Sequence, residues 1–144
     1  MIKLAELLSV LPDKTVTGPD EIPIAGITYD SRRVEPGHLF VAIRGLRYDG
    51  HSFIPEAVSR GATCVVGERA AQIEGATYVR VPSSRLALGL LASAFYGHPS
   101  HSLTLVGVTG TNGKTTTTHL IRALLEHAGF PTGLIGTVHN IIGG

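Results

Sequence analysis

Cysteine, tryptophan and net charge are what this sequence has least of. Cys64 is the only cysteine, tryptophan does not occur, and the formal net charge is +1 over 144 residues. One thiol cannot form an internal disulfide, and the apolar run from Ala62 to Val66 predicts that Cys64 is a buried small hydrophobe. A net charge so near zero produces no field that would attract nucleic acid or an anionic membrane. We therefore expect neither nucleic acid nor a membrane as a partner.

Long apolar stretches are also missing. No stretch approaches the roughly 20 apolar residues that a membrane span requires. The first ten residues include Lys3 and Glu6, which do not suit the apolar core of a signal peptide. The sequence predicts a cytoplasmic protein.

The sequence does contain the regular alternation of an α/β fold. Apolar residues make up 43% and charged residues 16%, a globular composition. Apolar spacing predicts helices at 4–11, 53–61, 84–96 and 114–127, and strands at 24–29, 39–43, 63–66, 77–81, 103–108 and 133–138. Strands that alternate with helices indicate an α/β architecture. The break at 97–100 (Gly-His-Pro-Ser) predicts two domains, one at 1–98 and the beginning of another at 99–144.

A glycine-rich loop lies between a predicted strand and a predicted helix in the second domain. Its sequence from Gly110 to Thr116 is G-T-N-G-K-T-T. Backbone N–H groups in such a turn, together with a helix N-terminus, form a nest for phosphate oxygens. Lys114 can reach the β- and γ-phosphates, and the Thr115 hydroxyl can ligate magnesium. The strict pattern G-x-x-x-x-G-K-[ST] would require glycine where the sequence has Val108. The loop nevertheless predicts a site for a nucleoside triphosphate, with ATP favoured.

Polar segments follow two predicted strands of the first domain. Asp30-Ser31-Arg32 follows one, and a loop between Gly45 and Gly50 follows the other. Loops at strand ends converge on one edge of an α/β sheet, where ligands usually bind. The residues alone leave two interpretations of Asp30-Ser31-Arg32 open, a ligand pocket or a turn with a salt bridge. For His51, a structural position at a helix start is favoured over a ligand contact.

These two regions together resemble the Mur ligase family of bacterial cell-wall synthesis. Residues 30–54 follow D-S-R-x-V-x-P-G-x-L-F-V-A-x-x-G-x-x-x-D-G-H-x-F-I, and the resemblance extends over nearly the whole chain. The loop at 110–116 and the run G-L-I-G-T at 133–137 are similar to the members that add the third amino acid to the UDP-N-acetylmuramoyl peptide. Members that add D-Ala-D-Ala tend to carry a serine-rich loop. Val108 fits this family's own version of the loop.

The resemblance implies a fold and a set of site residues. It implies an N-terminal nucleotide-sugar-binding α/β domain, followed by the first strand, P-loop, helix and strand of a P-loop ATPase-like central domain. It assigns the following residues to the UDP-sugar pocket: Tyr29, Ser31, Leu46, Arg47 and Tyr48. It assigns the following to ATP: Gly110, Thr111, Asn112, Gly113, Lys114, Thr115 and Thr116. Among these, Lys114 would be catalytic, and Thr115 would hold Mg²⁺.

The resemblance also implies a reaction. ATP phosphorylates the terminal carboxylate of UDP-N-acetylmuramoyl-L-alanyl-D-glutamate to an acyl phosphate, and an amino acid then attacks to form the amide. Meso-diaminopimelate is favoured over L-lysine as that amino acid, and a monomer is expected. The family implies an adenine pocket, an acidic magnesium ligand, a carbamylated lysine and an amino-acid domain beyond Gly144. We therefore expect a fragment that is inactive alone and that ends in a loop at Gly143 and Gly144.

Other functions remain open at this level. A D-Ala-D-Ala-adding ligase would share the first domain, and a folylpolyglutamate-type synthetase would share G-T-N-G-K. The latter usually continues with Gly-Ser, where this chain has Thr115 and Thr116. A binding module without catalysis is the alternative from a different class.

Overall fold

The structure is a computed structural model that describes residues 1–142. It divides into two compact units, Met1–Leu103 and Thr104–Gly144. The sequence predicts a boundary after His98, whereas the 3-10 turn Pro99–Ser102 groups with the first unit. The functions assigned to the two predicted domains remain predictions.

The first unit has an α/β architecture, as predicted. Its strands and α-helices are, in chain order, β1 (Ile2–Lys3), α1 (Leu4–Leu8), β2 (Thr15–Thr17), β3 (Pro23–Ile24), β4 (Gly26–Thr28), β5 (His38–Val41), α2 (Ile54–Ser59), β6 (Cys64–Gly67), β7 (Thr77–Arg80) and α3 (Ser84–Phe95). The main sheet has five strands in the order β2-β7-β6-β5-β4. Strands β4 to β7 are parallel, and β2 pairs with β7 in antiparallel orientation. The separate pair β1 and β3 is antiparallel.

The sheet is covered on both faces, which explains why its central strands are apolar without alternation. Leu39, Val41 and Val66 belong to one buried cluster that also holds the apolar residues of α1 and α3. Phe40 and Val65 belong to the other cluster, which includes Ala57 of α2. Successive residues of a strand point to opposite faces, so β5 and β6 each contribute to both clusters.

The helix boundaries follow from local chemistry. The Ser83 hydroxyl caps α3 by accepting a hydrogen bond from the Leu86 N–H at 3.3 Å. Gly61 follows α2 with a φ of +98°, and a Cβ there would lie 2.9 Å from the Pro36 Cα. Glycine is therefore required at this helix end.

Before the second unit's helix, two strand predictions need correction and one strand was not predicted. The predicted strand 24–29 is divided between β3 and β4, which belong to different sheets. The edge strand β2 is absent from the predicted strands. No strand forms at 103–108, because the backbone of these residues pairs with no other part of the described chain. A strand is defined by its hydrogen-bonded neighbour as much as by its own residues, and a single-sequence pattern does not contain the neighbour.

The second unit contains one long helix and a short hairpin. Helix α4 (Lys114–His127) has the predicted bounds. The predicted strand at 133–138 is only β8 (Leu134–Ile135), which turns back to pair antiparallel with β9 (Asn140–Ile141). The turn prevents a longer strand, because the Gly136 N–H donates to the His139 carbonyl at 3.0 Å. The predicted terminal loop at Gly143 and Gly144 lies outside the described residues.

Candidate phosphate loop and sheet-edge site

The loop before α4 has two glycines of positive φ and leads into an uncapped helix N-terminus. Gly110 and Gly113 have φ angles of +147° and +76°, and Gly113 is the N-cap of α4. A Cβ at Gly113 would meet no atom within 4 Å, so the approach to the loop is open. No side chain caps α4, which leaves the N–H groups of its first turn available. These groups and the helix dipole favour a bound anion.

Lys114 lies folded over this loop. Its Nζ donates hydrogen bonds to the carbonyls of Gly110 at 2.7 Å and Thr111 at 3.4 Å. Asn112 lies between the two glycines of the loop, Gly110 and Gly113, and is exposed.

Thr115 is the residue in this loop that the sequence predicts as a metal ligand. Its hydroxyl is exposed and has no hydrogen-bond partner among the described residues. Mg²⁺ in nucleotide sites takes one or two protein oxygens together with phosphate oxygens, so a single hydroxyl here fits the ion. Within residues 1–142, no group of three or more His, Cys, Asp or Glu side chains could hold a metal by itself.

The other candidate residues lie at one edge of the main sheet. Tyr29 and Ser31 follow β4, and the loop with Leu46, Arg47 and Tyr48 follows β5. Because β4 and β5 are parallel neighbours, both segments are at the carboxyl edge of the sheet. The loop is closed by the Gly45 N–H, which donates to the Tyr48 carbonyl at 2.9 Å.

Most of these side chains are free to meet a ligand. Leu46, Tyr48 and Tyr29 are exposed, and Arg47 is also exposed. Ser31 is nearly buried, with 7% of its surface accessible. That these residues contact a UDP-sugar remains a prediction.

Asp30-Ser31-Arg32 forms a capped turn with a salt bridge, which is one of the two interpretations that the sequence leaves open. Asp30 Oδ2 accepts from Arg32 Nη2 at 2.7 Å, and Oδ1 accepts from Arg32 Nε at 2.9 Å. These side-chain hydrogen bonds lower the pKa of Asp30 to about 2. The turn also directs the Ser31 hydroxyl to Glu56 Oε2, at 2.8 Å.

A cluster of polar side chains that sequence reasoning missed fixes the same edge. His51 Nδ1 lies 2.7 Å from Asp49 Oδ1, and Asp49 Oδ2 accepts from Arg69 Nη2 at 2.7 Å. The Glu68 N–H donates to His51 Nε2 at 2.9 Å, and Glu68 Oε1 accepts from the Ser84 N–H at 2.9 Å. These bonds connect the segments after β5 and β6 to the start of α3.

The cluster explains the Asp-Gly-His sequence at 49–51. Since His51 Nε2 accepts from a backbone N–H, Nδ1 must carry the hydrogen and donate it to Asp49. Hydrogen bonds from the backbone and then the side chain of His51 hold the pKa of Asp49 below its usual range. His51 is therefore a structural residue, and its spacing from Asp49 was the available signal.

Cys64 is fully buried in β6, as predicted. Burial raises the pKa of its thiol to about 12, from 9.0. A raised pKa means that the neutral thiol stabilises the fold fully below about pH 9, and that this contribution is lost as the pH rises toward 12. The thiol is thus inert at neutral pH.

Comparison with known proteins decides the family. The sequence profile described as "Mur ligase family, catalytic domain" matches residues 23–96, and the profile "Mur ligase middle domain" matches residues 108–143. The chain belongs to the Mur ligase family. The resemblance noted in residues 30–54 and 110–116 is thereby confirmed.

Similar Mur ligases carry consistent names. A UDP-N-acetylmuramoyl-L-alanyl-D-glutamate–2,6-diaminopimelate ligase from Syntrophomonas wolfei is 50% identical over 99% of this chain and 29% of its own length. A UDP-N-acetylmuramyl-tripeptide synthetase from Roseiflexus sp. is 51% identical over 99% of this chain and 28% of its own length. The chain thus spans less than a third of the curated relatives it matches.

Solved Mur ligase structures share the fold. A UDP-N-acetylmuramoyl-L-alanyl-D-glutamate–2,6-diaminopimelate ligase superposes with a TM-score of 0.74 at 25% identity, over 96% of this chain and 28% of that one. The MurF ligase from Thermotoga maritima in complex with ADP gives 0.57 at 40% identity, over 70% of this chain and 23% of that one. Within residues 1–142, no helix is both long and apolar enough to cross a bilayer.

Proposed function

We propose that this chain works in an ATP-dependent ligase that adds the third amino acid, diaminopimelate, to UDP-N-acetylmuramoyl-L-alanyl-D-glutamate. The proposal rests chiefly on one observation, the open nest before α4 with Lys114 folded over it, in a chain of this family. The names of relatives at 43–50% identity support the choice of substrate and amino acid. The enzyme would act in the cytoplasm as a monomer.

The residues of the second unit suit ATP and its metal. The N–H groups at the start of α4 and the Lys114 ammonium would neutralise the β- and γ-phosphates. The Thr115 hydroxyl would hold Mg²⁺, which supplies further charge neutralisation on the transferred phosphoryl group. The acyl phosphate formed on the substrate carboxylate is then attacked by the amine of the amino acid, which yields the amide and inorganic phosphate.

The residues at the edge of the first unit suit the nucleotide-sugar. Tyr29, Leu46 and Tyr48 offer exposed apolar and aromatic surface, and Arg47 offers a cation for a diphosphate. The cluster around Asp49 keeps the loop after β5 in place.

The test of the reaction is phosphate release by a complete ligase that carries this chain. We expect release that requires ATP, Mg²⁺, UDP-N-acetylmuramoyl-L-alanyl-D-glutamate and diaminopimelate together. Release with L-lysine in place of diaminopimelate would show that the proposed amino acid is wrong and that the proposed reaction is right. Release only with the tripeptide substrate and D-Ala-D-Ala would favour the other ligase, and binding without turnover would favour a binding module.

Lys114→Ala should lower kcat of the same ligase by about a hundredfold or more, equivalent to roughly 3 kcal/mol of transition-state stabilisation. The reason is that the ammonium is needed most while the phosphoryl group is in transfer. Lys3→Ala is the control, because Lys3 is exposed and pairs with Glu21 at 2.6 Å on the first unit. A Lys114→Ala enzyme with wild-type kcat would contradict the assignment.

A further inference from the structure

The Ser31 hydroxyl is a nearly buried group with a defined direction. Ser31 is 7% accessible, and its Oγ donates a hydrogen bond to Glu56 Oε2 at 2.8 Å. A serine hydroxyl has one hydrogen to donate and two lone pairs to accept with. While that hydrogen is on Glu56, the Ser31 oxygen can offer only lone pairs to any other group.

Glu56 is itself held in place. Its other carboxylate oxygen, Oε1, accepts from Arg60 Nε at 3.2 Å, where Arg60 is the C-cap residue of α2. Arg60 Nη1 also donates to the Arg32 carbonyl at 3.4 Å, next to Ser31 in the chain. Arg60 therefore ties α2 to the turn after β4 and keeps the Glu56 carboxylate facing Ser31.

We infer that Glu56 is a positioning residue that makes the Ser31 oxygen a hydrogen-bond acceptor for a donor group of the ligand. The inference rests on the proposed function, because it takes the ligand at this edge to be a UDP-sugar. Such a ligand has N–H donors on uracil and on its amides, and O–H donors on its sugars. Its diphosphate oxygens only accept hydrogen bonds, so they cannot be the partner of a Ser31 oxygen in this state.

The opposite arrangement makes an opposite prediction. If Ser31 had to donate its hydrogen to the diphosphate, Glu56 would compete for that hydrogen and would add negative charge beside the anion. Removal of Glu56 would then tighten binding. If Glu56 positions Ser31 as an acceptor, its removal weakens binding.

Glu56→Gln is the sharpest variant. The glutamine has a single carbonyl oxygen, which the charged Arg60 retains, so its NH₂ group faces Ser31 and reverses the hydroxyl. We expect the dissociation constant for UDP-N-acetylmuramoyl-L-alanyl-D-glutamate, measured by calorimetry on the complete ligase that carries this chain, to rise about three- to tenfold. Glu56→Ala should raise it less, because the hydroxyl then rotates freely. Glu74→Gln is the matched control, since Glu74 is exposed in a loop.

A double-mutant cycle separates positioning from general structure. In a Ser31→Ala background, Glu56→Gln should leave the dissociation constant unchanged to within about twofold, since no hydroxyl is left to orient. Melting temperatures of all variants are measured beside the binding constants, so that a loss of folding is recognised. Equal weakening by Glu56→Gln in both backgrounds would show that Glu56 does not act through Ser31.

Two probes locate the donor. A weakening seen already with UDP places the donor on the uridine, and a weakening seen only with the complete UDP-sugar substrate places it on the sugar or peptide. If the Glu56→Gln and Glu56→Ala variants bind both probes as tightly as the unaltered protein or more tightly, the inference about Glu56 is wrong and the proposed function is unaffected. No binding of the complete substrate by the unaltered complete ligase removes the proposed function and this inference with it.

Discussion

Tyr78 is the buried residue that completes the polar cluster around Asp49. Its hydroxyl donates to the Arg69 carbonyl at 2.6 Å, while its ring packs beside Phe40 and Val65. Burial raises the pKa of this phenol above its ordinary value of 10.0. The neutral phenol therefore stabilises the fold fully below about pH 10, and this contribution is lost as the pH rises toward the folded-state pKa.

Tyr78→Phe should lower the free energy of unfolding by about 1 kcal/mol at neutral pH, because it deletes one net hydrogen bond and keeps the ring. It should also remove the part of the alkaline loss of stability that comes from Tyr78. Urea unfolding at pH 7 and above pH 10 measures both effects. Tyr96→Phe is the control, since Tyr96 is exposed. Equal changes in the two variants would contradict the role of the Tyr78 hydroxyl.

At the candidate site, the sequence could predict where single residues lie but not which groups they contact. The placement of Ser31 at a strand end followed from the pattern, because parallel strands share an edge. The direction of its hydroxyl did not follow, because the acceptor Glu56 is 25 residues later and belongs to a helix face. His51 was placed at a helix start by its sequence, but its contact with Glu68 depends on the neighbouring strand.

At the scale of elements, helices were easier to predict than strands. Helix α4 has the predicted bounds because glycine before it and Gly129 after it act through local backbone geometry. Residues 103–108 have the apolar composition of a strand, but a strand requires a paired neighbour. Edge strand β2 was not predicted, although it forms. It is short and polar at both ends, and it is a strand because β7 pairs with it.

Helix α3 offers a test of a local boundary signal. Ser83→Ala should destabilise the first unit by about 1 kcal/mol, because it removes the acceptor of the Leu86 N–H. Ser83→Asn should preserve most of the stability, since asparagine caps helices about as well as serine. Thermal unfolding followed by circular dichroism distinguishes them. Equal losses in both variants would show that the cap contributes nothing and that another property of Ser83 matters.

On the scale of the whole molecule, the two units differ in how much of their surface they bury. The first unit holds nearly all the buried apolar residues, in two clusters on either face of its sheet. Among the described residues of the second unit, Leu134 is the one apolar residue that is buried. Leu120 and Leu124 of α4 are exposed. Stability therefore resides in the first unit, since buried apolar area is the main favourable term in folding.

Hydrogen exchange of the chain should reveal this difference directly. Amides of β5, β6 and β7 should exchange only through global unfolding, because these strands are paired on both sides and buried. Amides of α4 should exchange about a hundredfold faster or more, because the helix can open without disrupting either cluster. Mass spectrometry of peptides from the two units measures the rates.

Addition of ATP with Mg²⁺ should slow exchange at the first turn of α4 and leave β5 to β7 unchanged, because the nucleotide would bind the N–H groups of that turn. The Lys114→Ala chain should show less of this protection. Equal exchange rates in the two units without nucleotide would contradict the concentration of stability in the first. Nucleotide protection that appears in β5 to β7 rather than at α4 would contradict the placement of the phosphates.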